Sequence, residues 1–235
     1  MSLERLTERL NQEFETLATS PYLAKVMEKG FADKRLYGLY LIETYHYTRH
    51  NARNQALVAT RDENIDVRYL KFCLKHAEEE MGHELMALHD LKALGHKVTE
   101  EQLPKPLAAT QNLINYLYDV SRNGNPLARL GYSFWAEQVY GYIKPLLSMI
   151  SGGLGVPDKA MTFFNEHSDI DAVHSQQVAA TIERFAKTEE DWQAIEDCMV
   201  KSLQLTAKMT DQVFEEFVKL KEGQSTRMQQ LEASL

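Results

Sequence analysis

Cysteine is nearly missing: Cys73 and Cys198 are the only two in 235 residues, and they stand far apart. Their spacing excludes a CxxC redox or zinc motif. The expectation is two buried thiols in a reducing cytoplasm. Glycine and proline are scarce too, at 11 and 6, which favours long helices over many short strands joined by tight turns. No run approaches ~18 uninterrupted apolar residues, so no membrane span is expected. The opening MSLERLTERL lacks an apolar core segment, so no secretory signal is expected either. Basic arms with interleaved aromatics are absent, and the formal net charge is -8 with a pI of about 5.5. Neither nucleic acid nor an anionic membrane is therefore an expected partner. Gly-rich phosphate loops, fixed-period repeats, Gly/Ser linkers and alternating strand patterns are likewise absent.

What the chain does have is helical periodicity almost throughout, with 44% hydrophobic residues for a core. Leu3, Leu6, Leu10, Phe14 and Leu17 form one stripe. Ser20-Pro21 reads as a cap and first turn of a short helix ended by Gly30. Asp33 can cap a long helix to about Thr60. Residues 66–94 give another, stopped by Gly95 and followed by a loop with Pro104 and Pro106. Further helices are expected at 107–122, at 127–151 with a kink at Pro145, and from Asp158 to Lys187 with a break near Asn165. Thr188 followed by Glu189, Glu190 and Asp191 caps the last, at 189–221. The expected architecture is an all-α bundle of seven to nine helices, one domain over residues 1–223, with 224–235 as a C-terminal tail.

Three segments place acids and imidazoles where a helix would gather them. His167, Asp171 and His174 stand at i, i+4 and i+7, within about 60° of arc on a helix. They interrupt an apolar stripe of Phe164, Val178, Ile182 and Phe185. Buried imidazole and carboxylate need partners, supplied by a metal or by a hydrogen-bonded polar cluster. His76, Glu80 and His83 repeat the pattern beside the apolar stripe rather than on it, which suits either a solvated acidic face or metal ligands, Glu80-x-x-His83 having the ligand spacing of di-iron carboxylate bundles. Glu137 is a lone carboxylate among Phe134, Trp135 and Tyr140, either hydrogen-bonded by Ser133 and Tyr140 or ligating a metal. Glu43 and His50 share a fourth face with Tyr47. That face suits a satisfied carboxylate, a substrate-pocket wall or direct ligation. Together Glu80, His83, Glu137, His167, Asp171 and His174 supply three carboxylates and three imidazoles from three helices, an inventory for two metal ions. A ferritin-like bundle would repeat Glu-x-x-His in its last motif, which this chain does not.

The His-x-x-x-Asp-x-x-His motif, preceded by Glu80 with His83 and by Glu137, resembles the heme-oxygenase-like di-iron oxidases. Their superfamily includes thiaminase II and pyrroloquinoline quinone synthase. The likeness extends over roughly residues 5–220 and implies a heme-oxygenase-like bundle. It implies two irons per chain on Glu80, His83, Glu137, His167, Asp171 and His174, with manganese accepting the same ligands. It also implies an oxidase or oxygenase that takes dioxygen and a small-molecule substrate in the cytoplasm, as a homodimer. Glu43, Tyr47, His50, His76, Phe134, Trp135 and Tyr140 are then candidate pocket walls. Some members place an acid seven residues before the first-helix histidine, where this chain has His76. Thiaminase II carries a nucleophilic cysteine on the helix around Glu137, where this chain has none. A thiaminase-like hydrolase and a non-catalytic member of the fold are the alternatives.

Overall fold

Capping residues set several helix boundaries as the sequence demands. The computed structural model describes residues 2–19, 33–61 and 65–229, apart from the side chains of 145–146, 148–151, 153–154 and 166–172. The short helix expected after Ser20-Pro21 lies outside the described residues. Ser2 accepts from Arg5 N at the start of α1 (Leu3–Ala18), and Asp33 accepts from Arg35 N at the start of α2 (Lys34–Thr48). Arg49 and His50 separate α2 from α3 (Asn51–Val58), so the expected single helix is two.

The next expected helix is also divided. α4 (Val67–Glu79) and α5 (Glu84–Ala93) are separated by Glu80–His83, where Gly82 has φ 97°. A side chain there would be strained, so glycine makes the bend possible. Gly95 stops α5 as expected, with the N–H of His96 reaching back to Leu91 O at 3.2 Å. After α6 (Ala108–Arg122), α7 (Leu130–Ala136) and α8 (Val139–Leu154) are interrupted at Glu137–Gln138. The interruption therefore precedes Pro145, and α8 runs unbroken through it. α9 (Thr162–Phe185) begins after a 3-10 turn and continues through Asn165 without the expected break. Thr188 and Asp191 form a reciprocal capping box at the head of α10 (Glu189–Lys221).

Taken as seven bent or straight rods, the described helices form an all-α bundle around α10, which packs against α7, α6, α2 and α1. No strand occurs among the described residues, and no described helix is long and apolar enough to cross a membrane. Two apolar clusters fill the interior. One joins α2, α5, α9 and the end of α10 through Leu41, Leu91, Phe164 and Phe217. The other joins α1, α4, α6, α7 and α10 through Leu10, Tyr69, Leu117, Trp135 and Met199. The α7–α10 crossing is so close that a Cβ on Gly131 would lie 2.0 Å from Ile195 O and 2.7 Å from Met199 N. Beyond Gly223 the chain folds back: Ser225 and Met228 are buried, and Arg227 pairs with buried Glu43. The segment expected as a tail thus contributes contacts as far as residue 229.

Candidate metal centre

The interruptions in the helices carry the site. Glu80 caps α4 at the Glu80–His83 break, and Glu137 caps α7 at the other. His76 projects from the last turn of α4, and His174 from the middle of α9. One ligand atom from each of His76, Glu80, Glu137 and His174 lies within 4.8 Å of all the others. His76 Nε2 is 3.2 Å from Glu137 Oε1, and His174 Nδ1 is 3.5 Å from Glu137 Oε2. The two imidazoles meet edge to face at 5.7 Å, and Phe72 stacks on His76. His83 Nδ1 lies 3.6 Å from Glu80 Oε1, and Glu79 Oε2 lies 3.6 Å from His174 Nε2.

Charge and burial oppose one another here. Burial favours the neutral acid at Glu137, but the His174 and His76 side chains outweigh it and hold the carboxyl at about 2. His174 is raised in turn by its hydrogen bond to Glu137, against burial. Burial also opposes charge at Glu80 and His83, yet their mutual contact lowers the acid and raises the imidazole. His76 Nδ1 and Glu79 Oε2 are buried with no hydrogen-bond partner among the described residues. Clustered carboxylates and imidazoles with an orphaned ring nitrogen suit a transition-metal ion of the iron, manganese or zinc type.

Of the sequence-predicted ligands, the structure brings Glu80, Glu137 and His174 together, with His83 beside Glu80. His167 and Asp171 lie on α9, two turns and one turn before His174 respectively, and their side chains fall outside the described residues. His76, expected as a pocket wall, sits in the cluster itself. Its signal was the second His-x-x-x-acid-x-x-His pattern. Asp90 was not singled out, yet it orients α9. Fully buried, it accepts from Thr162 N and Phe163 N, each at 3.0 Å, at the head of the helix bearing His174. Thr162 after a proline-led turn is the sequence cue for that helix start.

The remaining expected pocket residues divide between two settings. Glu43 is fully buried, accepting from Leu107 N and Thr110 Oγ1 as well as Arg227. His50 Nδ1 shares a 2.9 Å hydrogen bond with the Tyr118 hydroxyl. Trp135 Nε1 donates to Ser202 Oγ at 2.8 Å, and Phe134 is buried in the same core cluster. Tyr47 and Tyr140 differ from these. Burial lifts the Tyr47 hydroxyl well above its usual range, with Tyr40, Tyr132 and Tyr140 near enough to add to the shift. The charges of Glu80 and Glu137 add to the upward shift that burial gives the Tyr132 hydroxyl.

The all-helical bundle has a heme-oxygenase-like fold. Residues 39–207 match the family described as iron-containing redox enzymes, and the chain belongs to that family. It is similar, at 43% identity and a TM-score of 0.90, to a domain of unknown function with a heme oxygenase-like fold from Shewanella denitrificans OS217; the match covers 97% of this chain and 98% of that one. A TenA homologue from P. horikoshii OT3 shares the fold at 13% identity, with a TM-score of 0.63 over 91% of this chain and 98% of its own. A protein described as a TenA family transcription regulator, from Silicibacter sp. TM1040, does so at 12%, with a TM-score of 0.69 over 91% and 96%. Comparison with curated proteins gave no match.

Proposed function

We propose that this chain is a dioxygen-dependent, non-heme iron oxidase or oxygenase acting on a small molecule. The observation that carries the reading is the convergence of His76, Glu80, Glu137 and His174 from three rods of the bundle within 4.8 Å. Membership in a family of iron-containing redox enzymes supports iron over manganese. His76, Glu137 and His174 would hold one ion, and Glu80 with His83 would serve a second, completed from α9 by His167 and Asp171. Bound iron with open coordination positions supplies the electrons that reduce dioxygen. The chain's own part is to fix ligand geometry, to keep Glu137 ionised through His76 and His174, and to exclude water with Phe72 and the surrounding core. Tyr47, Tyr132 and Tyr140 provide the partly polar wall along which a substrate would lie.

A thiaminase-type hydrolysis has no suitable nucleophile. Cys73 and Cys198 are both buried, and burial pushes each thiol up to about 11. The test is anaerobic loading with ferrous iron, removal of excess metal and elemental analysis. About two irons per chain, with an absorbance change on admitting dioxygen, is the expected result. Protein that stays colourless and iron-free would overturn the reading and leave a binding protein with the same fold.

A further inference from the structure

Arg129 is the bulkiest of the fully buried side chains among the described residues. Its Nε donates to Asn54 Oδ1 at 2.6 Å and its Nη1 to Ser133 Oγ at 2.9 Å, and the guanidinium lies 4.4 Å above the Tyr132 ring. All three partners are neutral. No carboxylate among the described residues comes within ion-pair distance of it. A guanidinium cannot shed its charge as a lysine can, and an unpaired buried charge is costly. Burial pulls the Arg129 pKa down; Tyr132 and Cys198 oppose that pull first, and Glu80 is the carboxylate that adds to them. Tyr132, beneath the guanidinium, is near both Glu80 and Glu137.

The local chain explains the placement. Arg129, Ser133 and Glu137 follow at i, i+4 and i+8. Ser133 takes the Arg129 hydrogen bond on its hydroxyl, and its carbonyl accepts from Glu137 N at 3.0 Å. Arg129 and Glu137 therefore stand about 12 Å apart along one helix axis, and the guanidinium reaches forward to Ser133, midway between them. Asn54, on α3, also holds the guanidinium, through Nε.

We propose that Arg129 is a built-in counter-charge of the metal centre, a positioning residue that biases iron held there toward the ferrous state. The inference rests on the iron reading above. In the couple concerned, ferric iron gains one electron with no change of ligands. A fixed positive charge in a poorly screened interior disfavours the more highly charged ion, so it raises the reduction potential.

The test is a mediated redox titration of iron-loaded protein, with far-UV circular dichroism to check folding. Arg129→Met removes the charge at similar volume. At a fixed ambient potential it lowers the ferrous-to-ferric ratio about tenfold, which is 59 mV for a one-electron couple. Arg129→Lys keeps the charge and stays at the parent potential. Asn54→Asp sets a carboxylate on the atom that already receives Nε, neutralising the field with the guanidinium in place. It falls as Arg129→Met does, and it carries the test if Arg129→Met does not fold. A potential unmoved by either charge-cancelling variant, in protein that holds iron, overturns this inference and spares the iron reading. So does an Arg129→Lys shift as large as that of Arg129→Met. A parent protein that takes up no iron overturns both.

Discussion

His50 shows how a single imidazole can set a pH limit away from the candidate metal centre. It is half-buried against Tyr118, and burial first, then Arg49, Arg53 and His46, push its pKa down to about 4. The unfolded chain, with an ordinary value near 6.5, then binds a proton that the folded chain refuses. His50 therefore imposes no penalty above pH ~6.5, and folding loses stability as the pH falls from there toward 4. His50→Gln removes that dependence. Urea unfolding at pH 7.5 and 5.0 should show a smaller loss in the variant than in the parent; equal losses would refute the assignment. Glu43 carries a larger consequence at the same scale. It is wholly buried, and Arg227 supplies its only cationic partner among the described ion pairs. Arg227→Ala leaves a buried carboxylate held only by Leu107 N and Thr110, which should destabilise the fold by roughly 3 kcal/mol in urea. A change below about 0.5 kcal/mol would mean that water reaches Glu43 freely.

At the scale of elements, the tightest constraint is the α7–α10 crossing. A methyl group on Gly131 would collide with the backbone of Ile195 and Met199, atoms that cannot rotate aside. Gly131→Ala should therefore cost about 3 kcal/mol and lower the melting temperature by roughly 10 °C for a chain of this size. A calorimetric shift of less than about 2 °C would show that the helices part at little cost. The same elements show what a sequence can and cannot disclose. The Asp33 cap, the Thr188–Asp191 box and the Gly95 stop are local chemistry, complete within a few residues, and all were legible. The breaks at Arg49–His50, Glu80–His83 and Glu137–Gln138 were not. The helical pattern continues across each, so it reads as one helix, although Gly82 at the second is a local sign of a break. Because Glu80 and Glu137 stand at those breaks, their polar character was visible in the sequence but the geometry that joins them to His76 was not. On an uninterrupted α4–α5 rod His83 would follow His76 and Glu80 on one face; Gly82 turns the chain between them.

For the whole molecule, the cluster joins three rods of the bundle at one point. The cluster draws on α4, the α7–α8 break and α9, while α9 packs only thinly on α4 and is held mainly through α5, α7 and the Asp90 cap. The imidazole–carboxylate contacts that reach α9, both through His174, are 3.5 and 3.6 Å long, so they restrain α9 weakly. A bound ion would act as a cross-link present only in the folded state, because the unfolded chain scatters these ligands over almost a hundred residues. Stabilisation by mass action then follows, about 2.7 kcal/mol at a free metal concentration one hundred times the dissociation constant. For a domain of this length that amounts to roughly 5–10 °C in melting temperature. Differential scanning calorimetry of the iron- or manganese-loaded protein, repeated after a chelator, should show that rise and its reversal. His76→Ala should weaken metal affinity by more than about 10-fold and shrink the rise at the same metal concentration while melting near the parent temperature in chelator. A rise that survives His76→Ala undiminished would place the metal elsewhere on the molecule.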